Sequence, residues 1–180
     1  MAWTSPMTAV AGTPFTAAQF NTHVRDNLNM TSPAVATTAG RIIVTNGPNS
    51  LAERTPSVNY LGTLQTTNSG SYVDLGTVGP TVTVTTGIRA LVIIGARISN
   101  NTIGQGGRMA CEVSGATSMG ASDINSFLAE SGNANDEYKG SWVTVYEGLT
   151  AGSNTFRGKY RLVGNGIASF SNRLVAVVPF

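Results

Sequence analysis

The chain has little charge and almost none of the side chains that usually mark an enzyme. Charged residues make up 11% of its 180 positions, against about a quarter in an ordinary domain. It holds one cysteine, Cys111, so no disulfide can close within the chain. Cys111 lies in the strand-like run Met109 to Val113 and reads as a buried structural thiol. The single histidine, His23, excludes a His-rich metal centre, and Cys111 adds no second ligand at metal spacing. A net charge of +2 with no basic run leaves no electrostatic footprint for nucleic acid. The start of the chain lacks the basic and apolar regions of a signal peptide. The longest apolar stretches, Ala90 to Ile94 and Leu174 to Phe180, are too short to cross a bilayer. A soluble protein made in a cytoplasm is expected, with no nucleic-acid or membrane partner.

Catalytic patterns are missing too. No Gly-x-Ser-x-Gly elbow presents a serine to His23, which reads as a polar helix-face residue. The nine acidic residues are scattered, and only Asp136 and Glu137 are adjacent. Their loop lacks the ligand spacing of an EF-hand, and nothing favours a glycosidase pair, whose carboxylates can stand far apart in sequence. Gly104-Gln105-Gly106-Gly107 runs into Arg108 without the Lys-Ser/Thr of a phosphate loop, so it reads as a turn. No residue set fills the roles of a catalytic, metal or cofactor site, and a protein that is not an enzyme is expected.

What the chain does have is Thr, Ser, Asn and Gly in its polar positions, which suits strand faces and tight turns. From about Ser57, short strand-like runs follow one another with turn signals between them. Thr81-Val82-Thr83-Val84-Thr85 alternates cleanly, placing valines on one face. The run Leu174 to Phe180 is apolar enough to belong in the middle of a sheet, with Pro179 at its end. Tyr72 to Leu75 is another strand candidate, and Trp142 reads as ordinary sheet packing. An all-β fold is expected, an antiparallel β-sandwich over 57–180. Ahead of it, 36–56 reads as a linker and a short hairpin, Gly40 to Thr45 and Leu51 to Arg54, turned by Asn46-Gly47-Pro48-Asn49.

Residues 1–35 read as an extended arm and one short α-helix. Thr16 and Gln19 form a capping box, and Phe15 and Phe20 stand at the positions of a hydrophobic staple. Phe20, Val24 and Leu28 then form a narrow apolar stripe on a helix from about Ala17 to Leu28, with Asn29 and Pro33 as stop signals. A helix so short is marginal alone in water and needs something to dock on. Trp3 sits in a Pro-flanked arm without a local core. An intermolecular pocket for it and a frayed terminus or packing on its own domain are both open. The candidate anchoring interface is Trp3, Phe15, Phe20, Val24 and Leu28.

Trp3-Thr4-x-Pro6, Ala11-Gly12 and Thr16-Ala-Ala-x-x-Asn21-Thr-His-Val-Arg-Asp-Asn-Leu28 together resemble the N-terminus of virion structural proteins of tailed bacteriophages, especially those of actinobacteria. Leu51-Ala-Glu-Arg-Thr-Pro56, Gly79-Pro-Thr-Val-Thr-Val-Thr-Thr-Gly87 and Phe170-Ser-Asn-Arg173 resemble later segments of the same family. The resemblance implies a virion component, assembled in the host cytoplasm, whose partners are major capsid or tail proteins. The expected form is a capsid-surface decoration or head-fibre protein, a homotrimer with a jelly-roll or tumour-necrosis-factor-like sandwich by analogy. A tail fibre or baseplate appendage is one alternative. A carbohydrate-binding module recognising a host-surface glycan, with Tyr138 as its main exposed aromatic, is another.

Overall fold

A computed structural model describes residues 3–180. The chain divides into two compact units, the first ending at Thr55 and the second running Pro56–Pro179.

In the first unit, helical backbone begins after Thr16. The Gln19 N–H donates to Thr16 Oγ1 at 3.2 Å and the Thr16 N–H to Gln19 Oε1 at 2.9 Å, which completes the capping box. Phe15 and Phe20 meet edge to face, with ring centroids 6.2 Å apart. The helical run is not uniform. α1 (Ala17–Phe20) passes through a π-helical turn, Asn21–Arg25, into α2 (Asp26–Leu28). A π turn inserts an extra residue into the helical repeat, so the expected spacing of Phe20, Val24 and Leu28 does not make one clean stripe. Pro33 also behaves differently from the stop signal it resembled. It lies in the first turn of a further short helix, α3 (Ser32–Val35), where a missing N–H costs nothing because that donor has no helical partner. A hairpin forms, β1 (Ile42–Gly47) against β2 (Ser50–Arg54); Asn46 and Gly47, expected in the turn, extend β1, and Asn49 takes a positive φ of 55° in the shorter turn.

The second unit is an antiparallel β-sandwich. Its strands are β3 (Ser57–Leu61), β4 (Gln65–Thr67), β5 (Thr81–Thr86), β6 (Arg89–Asn100), β7 (Gly106–Gly115), β8 (Ser126–Glu130), β9 (Tyr138–Glu147), β10 (Gly152–Val163) and β11 (Ala168–Pro179). One sheet has the order β5-β10-β7-β8 and the other β3-β11-β6-β9, with β4 extending the pairing along β11. Apart from β3 with β4 and the paired neighbours β7 and β8, successive strands cross from one sheet to the other, which is the jelly-roll connection of two interlocked Greek keys. The Tyr72 to Leu75 run is not a strand. Only Val73 bridges to Tyr160, while Leu75 is buried and Asp74 turns to Lys159 at 2.8 Å.

Alternation decides what fills the sandwich. Val82 and Val84 of β5, Val92 and Ile94 of β6, Phe156 and Tyr160 of β10, and Val175 and Val177 of β11 all point inward and are buried. A bulge in β11 sets that phase. Between Ser171 and Leu174 the register against β6 slips by one residue, and Asn172 there takes a φ of 50°. An extra residue reverses which side chains face the core, so Arg173, Val175 and Val177 turn in. Arg173 is fully buried. Its guanidinium donates to the carbonyls of Thr63 and Thr77 at 3.2 and 3.4 Å and lies 5.5 Å from the Tyr160 ring centre, clamping two connections onto the sheet. Buried amides secure other loops: Asn154 reaches Thr86 and Thr150, and Asn100 reaches Gly106 and Asn165.

Candidate functional site

The arm and the helical run are held together by one amide. The Thr4 N–H donates to Asn27 Oδ1 at 2.8 Å, and Asn27 Nδ2 donates to the Thr4 carbonyl at 2.9 Å. Asn27 therefore pairs with the extended arm as a neighbouring strand would, and it also donates to the His23 carbonyl at 3.1 Å. Asn27 is buried. His23 Nδ1 lies 3.1 Å from the Ser5 carbonyl, which places its imidazole in the same seam. The Trp3 N–H donates to the Asn49 carbonyl of the hairpin turn at 2.9 Å.

A second polar fastening holds the segment after α3. The Glu53 carboxylate of β2 accepts from the Thr37 and Thr38 backbone N–H groups, the Thr37 hydroxyl and Arg41. Desolvation raises this carboxyl, but the converging donors outweigh it and hold Glu53 at about 2, against an ordinary 4.5.

The expected anchoring residues lie around these fastenings without being absorbed by them. Trp3, Phe15, Phe20 and Leu28 are 40%, 55%, 48% and 60% exposed; Val24 is half-buried. Phe15 borders a cleft of about 350 Å³ with Met7, Val10, Pro14 and Gln19. Trp3 borders another of about 280 Å³ with Met30, Asn49 and Leu51. Apolar side chains thus stand in water on a unit fastened by Asn27 and Glu53. Asn27 and Glu53 were not singled out in the sequence. A polar residue beside an apolar stripe looks solvent-facing, and only the returning arm gives it partners.

In the sandwich, the expected buried thiol is found: Cys111 is buried and burial pushes it up to about 12, so it is protonated and inert at neutral pH. Among the described residues, no three His, Cys, Asp or Glu side chains cluster as metal ligands would. The outer face of the β5-β10-β7-β8 sheet is polar. Thr83 and Thr155 hydroxyls meet at 2.8 Å, and Lys159 lies between Asp74 and Glu112 at 2.8 and 3.3 Å. Arg161 and Tyr72 both donate to Asp123, and the Arg161 hydrogen bonds hold that carboxyl below its usual range. Trp142, read as ordinary sheet packing, is instead 44% exposed on the edge strand β9, as is Tyr138.

No family model matches the chain, and no curated protein matches its sequence. Several solved structures are similar in fold. The Eiger tumour-necrosis-factor protein of S. frugiperda matches 69% of this chain and 92% of its own at 12% identity, with a TM-score of 0.43. The infectious bursal disease virus Gx strain structure matches 76% of this chain but only 36% of its own, at 15% identity and a TM-score of 0.37. A family 35 carbohydrate-binding module from Clostridium thermocellum matches 79% of this chain and all of its own, at 17% identity and 0.35. At such identities and scores, nothing about chemistry or partners passes from those proteins to this chain.

Proposed function

We propose that the chain is a non-enzymatic virion structural protein, a capsid-surface decoration or head-fibre component anchored by its N-terminal unit and displaying its β-sandwich. The observation that carries this reading is the exposure of Trp3, Phe15, Phe20 and Leu28 on an arm and helix already ordered by Asn27. Exposed aromatic and leucine side chains on a pre-ordered element suit docking, because little conformational freedom remains to be lost on binding. The phage-like arm motif supplies the kind of particle, and the homotrimer expected with it is carried here as part of the proposal. In virions assembled with a chain lacking residues 1–30, the sandwich is expected to fold but to be missing from purified particles. Normal incorporation of that deletion would overturn the anchoring role. Density at the tail rather than on the capsid would replace the decoration reading with a tail appendage.

A second reading has its own observation. Tyr138 and Trp142 share one face of β9, four residues apart, and both are 44% exposed, as sugar-stacking aromatics would be. Binding on a glycan array that is lost with Trp142→Ala would favour this reading, and an array without binding would remove it.

A further inference from the structure

One ion pair of the sandwich differs from the others. Lys159 of β10 is the most enclosed cation in any of them among the described residues, with its side chain 13% exposed. Its Nζ stands 2.8 Å from Asp74 Oδ2 and 3.3 Å from Glu112 Oε2. The other carboxylate oxygen, Asp74 Oδ1, is buried and has no hydrogen-bond partner. A carboxylate oxygen held away from both water and donors is costly. Arg157 Nη1, 3.8 Å from the same Oδ2, is the remaining charge beside this group.

The backbone fixes the three side chains in contact. β10 and β7 pair Arg157 with Glu112 and Lys159 with Ala110, which sets Glu112 diagonally beside Lys159 on the outer face. Asp74 arrives on the connection from β4 to β5. That segment is laid along β10 by Val73 and Tyr160, which exchange backbone hydrogen bonds of 2.9 and 3.0 Å. The Gly158 N–H donates to the Pro80 carbonyl at 3.0 Å and the Leu162 N–H to the Ser69 carbonyl at 2.7 Å. An amine and a carboxyl so held cannot drift apart, and fixed contact is worth an effective molarity of up to ~10⁵ M or more.

We propose that Lys159 and Asp74 condense into an amide, a covalent staple between β10 and the β4–β5 connection. Glu112 takes one proton from the Lys159 ammonium, and the freed amine attacks Asp74 Cγ. The Nζ–Cγ bond forms and the Cγ–Oδ2 bond breaks. Oδ2 leaves as water with two protons, the one returned by Glu112 and a second given up by Nζ after addition. No oxidant, metal or further reactant enters, and the net charge is unchanged. Oδ1 stays as the amide carbonyl oxygen, neutral where a carboxylate oxygen had been stranded. Asp74 and Glu112 are partly exposed, which gives the water a way out. The staple joins residues 85 positions apart, and it does not depend on the virion reading.

Intact-mass spectrometry of the full chain tests this. The wild type is expected to be lighter than its sequence by one water. Lys159→Arg, which keeps the charge, is expected to show the full mass of its sequence. Trypsin is expected to release a branched peptide joining 55–89 to 158–161, because an acylated Lys159 is no longer cut. That peptide separates the staple from dehydration elsewhere in the chain. On a denaturing gel the wild type is expected to run ahead of Lys159→Arg, since a covalent ring stays compact when unfolded. Glu112→Gln keeps the side-chain size but cannot carry the proton, and is expected to remain largely at full mass. A wild type at full mass without the branched peptide would overturn the proposal and leave an ordinary ion pair. A Glu112→Gln chain stapled as completely as the wild type would overturn the part given to Glu112.

Discussion

The N-terminal unit and the sandwich reach order by opposite means. In the sandwich, apolar side chains from both sheets fill a continuous core, from Leu75 through Val177, and polar groups such as Asn100 and Asn154 secure its loops. In the N-terminal unit the relation is inverted. Among the described residues before Thr55, Asn27 alone is buried, while Phe15, Phe20 and Leu28 face water. Burial of a large aromatic contributes about 2–3 kcal/mol, whereas a net hydrogen bond contributes about 1 kcal/mol. The sandwich is filled by its own core, whereas the arm and helix are fastened by polar groups and keep apolar side chains in water.

The sharpest way to break this contrast is to cut a hole in the sandwich. Phe156 is fully buried and stacks edge-on to Tyr146. Phe156→Ala is expected to cost about 3–5 kcal/mol and to lower the melting temperature by more than about 10 °C, read by calorimetry. A loss under about 1 kcal/mol would mean the core is not what holds this unit.

A smaller and local effect is expected from Asn27→Ala. It removes both hydrogen bonds to Thr4, at about 1–3 kcal/mol confined to the first unit. The arm should become several-fold more sensitive to proteolysis while the main calorimetric transition stays in place. Equal protection of the arm in the variant would show that apolar packing, and not the amide, orders it.

The smallest effect is a pH dependence at Glu53. Its carboxyl is depressed in the folded chain, so its stabilising contribution is fully present above about 4.5 and is lost as pH falls through about 2. The amide resonances of Thr37 and Thr38 should shift over that window, and Glu53→Gln should abolish the shift. A midpoint near 4.5 would mean that the fastening contributes nothing.

Much of the sandwich was legible because strand alternation repeats every two residues. The valines of β5 and the central place of β11 follow directly from that pattern. Tyr72 to Leu75 misled because a short run of strand-forming residues does not say whether a neighbour is free to pair with it. The bulge at Asn172 was invisible: a positive φ at a single asparagine leaves no periodic trace, yet it turns Arg173 into the core. In the N-terminal unit the capping box and the Phe15–Phe20 contact were readable because their partners are three to five residues apart. Asn27 was not, because its partner Thr4 lies 23 residues away.

Composition and local pattern alone determined that this is a lightly charged β protein with a capped helix on an extended arm. Those properties arise from backbone propensity and nearest-neighbour spacing, which any window of sequence contains. Only the tertiary structure decided which sheet face is apolar, which polar residue fastens the arm, and that Trp3, Phe15, Phe20 and Leu28 of the first unit remain in water. Each depends on strands or segments brought together from distant parts of the chain, where register and exposure exist only once the fold has formed.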